Sequence, residues 1–148
     1  MMDAGIWKKY LALMESLGNT LDQLAELERT KTKAVSQGDL PGVEECMKKE
    51  QVISLSLRGM DQKRDKMLAE MGLTGVHLRE LAAHAPEEMY HETKAAAEKL
   101  RQQYEMYQAA SKVAMDTLEC NLRAIEQIQK AQSVPPEEDR PHQSDFTA

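Results

Sequence analysis

The chain has 148 residues, of which 41% are hydrophobic and only 4% aromatic, and its formal net charge is −6. This length predicts one domain with an aliphatic and thioether core, and the acidic balance argues against nucleic acid as a partner. No apolar run approaches the roughly 20 residues that a membrane span needs, and the first residues lack the apolar core of a secretory signal. We therefore expect a cytoplasmic protein.

The first predicted helix covers residues 3–37, with Asp3 placed to cap its start. A heptad stripe runs along it at alternating steps of four and three residues: Ile6, Tyr10, Leu13, Leu17, Thr20, Leu24, Leu27, Lys31 and Ala34. Spacing near 3.5 residues indicates left-handed packing against another helix. Gly38 suits the C-terminal cap of this helix and Asp39 the N-cap of the next, so we expect a short antiparallel hairpin connection.

The second predicted helix covers residues 40–71 and ends at Gly72. Its seam consists of Val43, Cys46, Ile53, Leu57, Met60, Met67 and Met71. Glu50 and Arg64 fall on the same line. Two interpretations stay open for these charges: they set the register of the hairpin through cross-helix partners, or they lie at the margin of the seam in contact with water.

A short connecting helix is predicted over residues 74–85, capped by Thr74 and stopped by Pro86. No Gly or Pro interrupts the chain from residue 87 to 133, which predicts one long helix there. Residues 134–148 carry proline and acidic residues without an apolar period, so a disordered tail is expected.

The pattern as a whole predicts an all-α protein with a single helical domain over residues 1–133. A long antiparallel hairpin and a long C-terminal helix would form an elongated coiled-coil-like bundle. The last helix carries the second heptad stripe: Leu100, Tyr104, Tyr107, Ser111, Ala114, Leu118, Asn121, Ile125 and Ile128. At about 69 Å it would overshoot a hairpin of about 50 Å if it is unbroken, which would leave the stripe near Leu118 to Ile128 without a cover.

Catalytic and metal-binding patterns are missing from the sequence. His77, His84 and His91 recur every seven residues, but a heptad spans about 10.5 Å along a helix, too far for shared coordination of a metal ion. Adjacent carboxylates such as those of Glu87 and Glu88 diverge around a helix, and no phosphate-binding loop or nucleophile elbow occurs. We therefore predict neither an enzyme nor a metal or cofactor site, and we expect the function to be recognition.

Two segments of the sequence carry a further pattern. Residues 39–73 contain an acidic turn, a mid-helix lysine, and then an arginine shortly before an apolar pair and a glycine; the positions are Lys49, Arg64, Met67, Leu68 and Gly72. In residues 115–129 an asparagine precedes aliphatic residues, here Asn121, Leu122 and Ile125. In both segments the sequence resembles the FlgN-like family of flagellar export chaperones.

The resemblance implies a cytoplasmic chaperone of the flagellar type III export system. Such a chaperone binds C-terminal amphipathic segments of hook-filament junction (hook-associated) proteins and prevents their premature assembly, and components of the export apparatus stay open as further partners. The resemblance also places the partner-binding residues in the last third of the chain: Tyr104, Tyr107, Met115, Leu118, Asn121, Leu122, Ile125 and Ile128.

One alternative function uses the same seams. A structural coiled-coil protein would self-associate through them and would form a stable oligomer without any client. The chaperone reading is compatible with a weak homo-oligomer only. Phe146, the only aromatic residue of the tail, is assigned no role by either interpretation.

Overall fold

The computed structural model describes residues 4–133, and within this range it contains helices and turns but no strand. The predicted all-α class is confirmed. The elements in chain order are α1 (Ala4–Ser36), α2 (Leu40–Glu70), two 3-10 segments (Leu78–His84 and Glu87–Met89) and α3 (Tyr90–Ser133).

The turn between α1 and α2 has the predicted caps. Gly38 adopts a positive φ of 70°, which side-chain-bearing residues rarely adopt, and the amide of Asp39 donates to the carbonyl of Ala34 at 2.9 Å. The carboxylate of Asp39 then accepts from the amide of Gly42 at 3.1 Å, and Pro41 lies in the first turn of α2. These contacts reverse the chain within a few residues, so α1 and α2 are antiparallel.

Helix α1 is the central element of the bundle, because both α2 and α3 pack against it. Its buried side chains form most of the core, and they include Trp7, Tyr10, Met14, Leu17, Leu21 and Leu24. Helix α2 contributes only two buried residues, Cys46 and Leu68. The second helix is therefore attached to one neighbour along a narrow seam.

Three polar contacts fix the register between α1 and α3. The indole N–H of Trp7 donates to the hydroxyl of Thr93 at 2.7 Å, and both residues are buried. Near the end of α1 the side-chain amide of Asn121 donates to the carbonyl of Val35 at 2.7 Å. Both pairs join residues 86 positions apart, so α1 and α3 run parallel, and the offset between facing residues is the same near both ends of α1.

The third contact lies between these two, where the helices approach each other closely. The amide of Gln103 donates to the carboxylate of Asp22 at 2.8 Å, and Gln103 is buried against Gly18. A Cβ atom on Gly18 would collide with the Gln103 side chain. Glycine at this position therefore leaves room for the amide that links the two helices.

The hairpin interface contains a buried charge cluster. The ammonium of Lys31 lies 2.9 Å from the carboxylate of Glu50 on α2 and 3.2 Å from that of Glu28 on its own helix. Burial raises the pKa of Glu28, and the nearby Glu50 carboxylate raises it further. Glu50 thus has a cross-helix partner. Arg64 pairs with Asp61 of its own helix at 3.2 Å and also interacts across the helices with the buried hydroxyl of Tyr10 on α1.

The connector differs from its prediction. Instead of an α-helix over residues 74–85, the chain forms a turn at Gly75, where φ is 82°, and then the 3-10 segment Leu78–His84. The left-handed backbone at Gly75 prevents Thr74 from capping a helix, and too few residues remain before Pro86 for a stable α-helix. The segment inserts Leu81 into the core, where it is fully buried.

Two predictions lie outside the described residues. They are the cap at Asp3 and the disordered tail over residues 134–148, which includes Phe146. Inside the described range none of the helices is long and apolar enough to cross a membrane.

Candidate functional site

Helix α3 continues well beyond the end of α1. Asn121 contacts Val35 in the last turn of α1, and α1 ends at Ser36, but α3 runs on to Ser133. At a rise of 1.5 Å per residue the part of α3 after Asn121 extends by about 18 Å. The predicted overshoot is therefore present, and we call the segment from Asn121 to Ser133 the overhang.

A stripe of apolar side chains on α3 is open to solvent and reaches into the overhang. We call it the α3 stripe; its members, with their exposed fractions, are Tyr104 (50%), Met115 (60%), Leu118 (38%), Leu122 (50%), Ile125 (49%) and Ile128 (56%). The spacings between them keep the side chains along one broad side of the helix. Isolated apolar residues are common on surfaces, but five such side chains between Met115 and Ile128, with Tyr104 three turns before them, are typical of an interaction surface.

The other two residues predicted to bind a partner face α1. Tyr107 is half-buried and packs against the core cluster. Asn121 is half-buried too, and its amide is engaged by the carbonyl of Val35. Both residues hold α3 in place beneath the stripe, so the structure brings six of the eight predicted residues together on the surface.

A groove lies between α2 and α3. Both helices pack on α1, yet in the part of the chain that the structure describes their backbones do not approach each other. The space between them, which we call the α2–α3 groove, has a volume of about 640 Å³, and its lining residues are Leu17, Leu21, Ser54, Leu57, Arg58, Asp61, Arg64, Leu78, Leu100, Arg101 and Tyr104. Tyr104 belongs to both the groove and the α3 stripe, so the two surfaces lie on the same side of α3.

Three guanidinium groups lie at the rim of this groove, those of Arg58, Arg64 and Arg101. Asp61 pairs with Arg64, and Arg101 pairs with Glu98 and Glu105 on its own helix. Arg58 makes no ion pair or side-chain hydrogen bond with any residue between positions 4 and 133. Its charge is available to a ligand.

Sequence reasoning missed the groove. Leu57 and Arg64 were placed on the seam of α2, where they face α1, but no spacing tells whether two helices that share one neighbour also touch each other. The sequence of α2 contains fewer apolar residues than that of α1, and this difference was the available indication of the groove. A helix with few apolar residues packs against one neighbour only.

Within residues 4–133 no group of three or more His, Cys, Asp and Glu side chains converges as metal ligands would. Cys46 is buried and Cys120 is exposed, and both are free thiols. The chemistry that the described surface offers to a ligand is therefore apolar contact along α3 and guanidinium contact at the rim of the groove.

Comparison with known proteins agrees with this picture of a helical binding protein. No curated protein and no solved structure matches the chain. One family model does match, that of the FlgN protein, over residues 2–134, which is almost the whole helical part of the sequence. The resemblance found in the sequence is thereby confirmed, and the chain belongs to the FlgN family of flagellar export chaperones.

Proposed function

We propose that this chain binds the C-terminal helical segments of hook-filament junction proteins in the cytoplasm and prevents their assembly before export. Membership of the FlgN family supports a role as a flagellar export chaperone in general. The single observation that carries the finer proposal is the α3 stripe, which continues onto a helix end that α1 does not reach.

The physical argument rests on what an amphipathic client segment needs. A segment that assembles into a helical junction exposes an apolar face before assembly, and that face pairs with any similar face that it meets. An apolar groove or stripe on a chaperone covers the apolar face of the client until the client is exported. Covering the exposed half of Leu122 and of Ile125 contributes roughly 0.8–1.5 kcal/mol each, which the ordering of the client partly offsets. Moderate affinity results, and this suits later release.

We assign the direct contacts to the six exposed members of the α3 stripe. Tyr107 and Asn121 act on the client only through the position of α3, since their polar or aromatic groups already contact α1. Their substitution should weaken client binding together with stability. Substitution of Leu122 or Ile125 should weaken client binding alone.

The test is a calorimetric titration of the full chain with the purified C-terminal segment of a hook-filament junction protein from the same organism. Leu122→Asp combined with Ile125→Asp should abolish binding, because two carboxylates would be buried against apolar side chains. The matched control is Cys120→Asp combined with Gln127→Asp, which adds the same charge at exposed positions on the other side of the helix. This control should bind like the wild type.

A structural coiled-coil protein remains the competing function, and the same samples test it. Sedimentation equilibrium would then find an obligate oligomer that Leu122→Asp with Ile125→Asp dissociates, and the junction-protein segment would not bind. Binding of the segment by a monomer or a weakly associating chain excludes this alternative.

A further inference from the structure

The α2–α3 groove is an apolar trough whose floor is α1. Leu17 and Leu21 of α1 form the floor, and Leu57 and Leu100 flank it from the two walls. From these residues and from the unpaired guanidinium of Arg58 at the rim, we propose that the groove receives an amphipathic helix of the client, which packs on α1 as a fourth helix between α2 and α3 and places a carboxylate against Arg58. This inference rests on the proposed function and adds a second wall, α2, to the binding site.

The groove and the α3 stripe lie on the same side of α3. Tyr104 lines the groove, and Leu122 lies five helical turns further along on the same face of α3. On the opposite wall Ser54 lines the groove, while Met47 and Leu40 precede it at steps of seven residues and are exposed. Residues seven apart on a helix share a face, so both walls continue as apolar rows towards the overhang.

The two rows lie at the same level of the bundle. Lys31 joins α1 to Glu50 of α2, and Val35, one turn further along α1, accepts the hydrogen bond of Asn121 on α3. Glu50 and Asn121 are therefore near neighbours along the bundle axis, and Met47 lies across from the beginning of the overhang. The proposed client helix would therefore lie between the two rows.

The shape of the groove fits part of a helix. Its volume of about 640 Å³ is that of a site for a compact apolar group, enough for the side chains on one face of a short helical stretch. Since α2 and α3 both contact α1 but not each other within the described residues, a fourth helix would complete the packing that a bundle normally has.

The unpaired charge of Arg58 favours an occupant that carries a carboxylate at the rim. The chain as a whole carries a net charge of −6, so an acidic segment is repelled by most of its surface. At the rim of the groove, Arg64 and Arg101 are already paired with Asp61, Glu98 and Glu105, whereas Arg58 has no partner among the described residues. A carboxylate on the client would pair with the Arg58 guanidinium, and this pairing would fix the position of the bound helix.

The test compares two charge reversals on α2. Arg58→Glu alters the rim, whereas Lys63→Glu makes the same change on the same helix at an exposed position away from the groove. In titrations of the full chain with the junction-protein C-terminal segment, Arg58→Glu should weaken binding about tenfold, the loss of one charge-assisted contact. Lys63→Glu should change it less than about twofold, and added salt should reduce the difference between the variants.

A photoreactive benzophenone side chain at Ser54 or at Lys63 locates the client directly. The segment should crosslink from position 54 and not from position 63. Equal binding by Arg58→Glu and wild type without crosslinking at position 54 would overturn the groove proposal, and so would a second copy of the chain as the only crosslinked species. If Leu122→Asp with Ile125→Asp still abolished binding in that case, the proposed function would stand. A wild-type chain that does not bind the segment would contradict both.

Discussion

The two ends of α3 have the same kind of sequence pattern but opposite surroundings. Near the start, Thr93, Ala97 and Leu100 are buried against α1 and the connector. Near the end, Leu122 and Ile125 continue the apolar pattern but are about half exposed. Periodicity determines which face of a helix is apolar, whereas the length of the neighbouring helix determines whether that face is covered.

This difference also separates stability from binding. Removing a buried group at the start of α3 leaves a cavity or an unpaired polar atom in the core. Removing an exposed group from the overhang costs the isolated chain little, because the group has few contacts to lose. The predictions below test this separation with matched substitutions at the two ends, beginning with the largest expected effect on stability.

Trp7→Ala should have the largest effect. The indole is fully buried and donates a hydrogen bond to Thr93, so its removal should lower the free energy of unfolding by about 3–5 kcal/mol. Urea unfolding followed by circular dichroism measures this change. Leu122→Ala is the matched truncation at the other end and should change the free energy by less than about 0.5 kcal/mol. Similar losses in the two variants would contradict the comparison.

Asn121→Ala should have an intermediate effect. The substitution removes the hydrogen bond to the carbonyl of Val35, which also accepts from the amide of Gly38, and should cost about 1 kcal/mol. Gln127→Ala, an exposed position one and a half turns further along α3, is the control for the same unfolding measurement. An Asn121→Ala variant as stable as this control would mean that the contact with α1 contributes nothing.

Glu28→Gln should flatten the pH dependence of stability. The folded pKa of Glu28 is raised above its ordinary value of 4.5, mainly by burial, so the folded state binds more protons than the unfolded state just above that pH. Its contribution therefore makes the free energy of unfolding fall as the pH rises from about 4.5 through the raised folded pKa. Lys31 does not interfere, since its raised pKa acts only above 10.5.

The measurement is the free energy of unfolding of the wild type and of Glu28→Gln, each at about pH 5 and at about pH 7. The fall between the two values should be smaller in Glu28→Gln than in the wild type. Glu26→Gln, at an exposed position on the same helix, should retain the wild-type difference. A Glu28→Gln variant with the wild-type difference would show that the carboxyl does not titrate in a buried site.

Leu122→Asp with Ile125→Asp should have the smallest effect on stability and the largest on binding. Both side chains are about half exposed, so the free energy of unfolding should change by less than about 0.5 kcal/mol. A fall of several kcal/mol in the urea experiment would mean that the α3 stripe is part of the core.

Much of the fold could be predicted because the decisive signals are local. Gly38 and Asp39 mark the hairpin turn, and the uninterrupted sequence after Pro86 marks a long last helix. The hydrogen bond between Trp7 and Thr93 could not be predicted, because it joins residues 86 positions apart and depends on the register of two helices. The connector was predicted as an α-helix since the left-handed backbone at Gly75 has no separate sequence signal.

The site could be predicted only in part, for a similar reason. The heptad stripe contained Ile125, the family resemblance added Leu122, and the length of the last helix indicated where the apolar side chains would be uncovered. The same pattern could not tell Tyr104, which is half exposed, from Tyr107, which packs against the core. The role of Arg58 depends on the space between α2 and α3, and no property of α2 alone reveals that space.

Amide hydrogen exchange of the full chain, alone and saturated with the junction-protein segment, tests most directly whether the uncovered part of α3 is the binding site. The overhang lacks cover from α1, so its amides should exchange fast in the free chain and slow down on binding. Amides around Thr93 should be protected in both states, because that end is already buried. Slower exchange confined to residues 90–100, with the overhang unchanged, would contradict the assignment of the binding site to the α3 stripe.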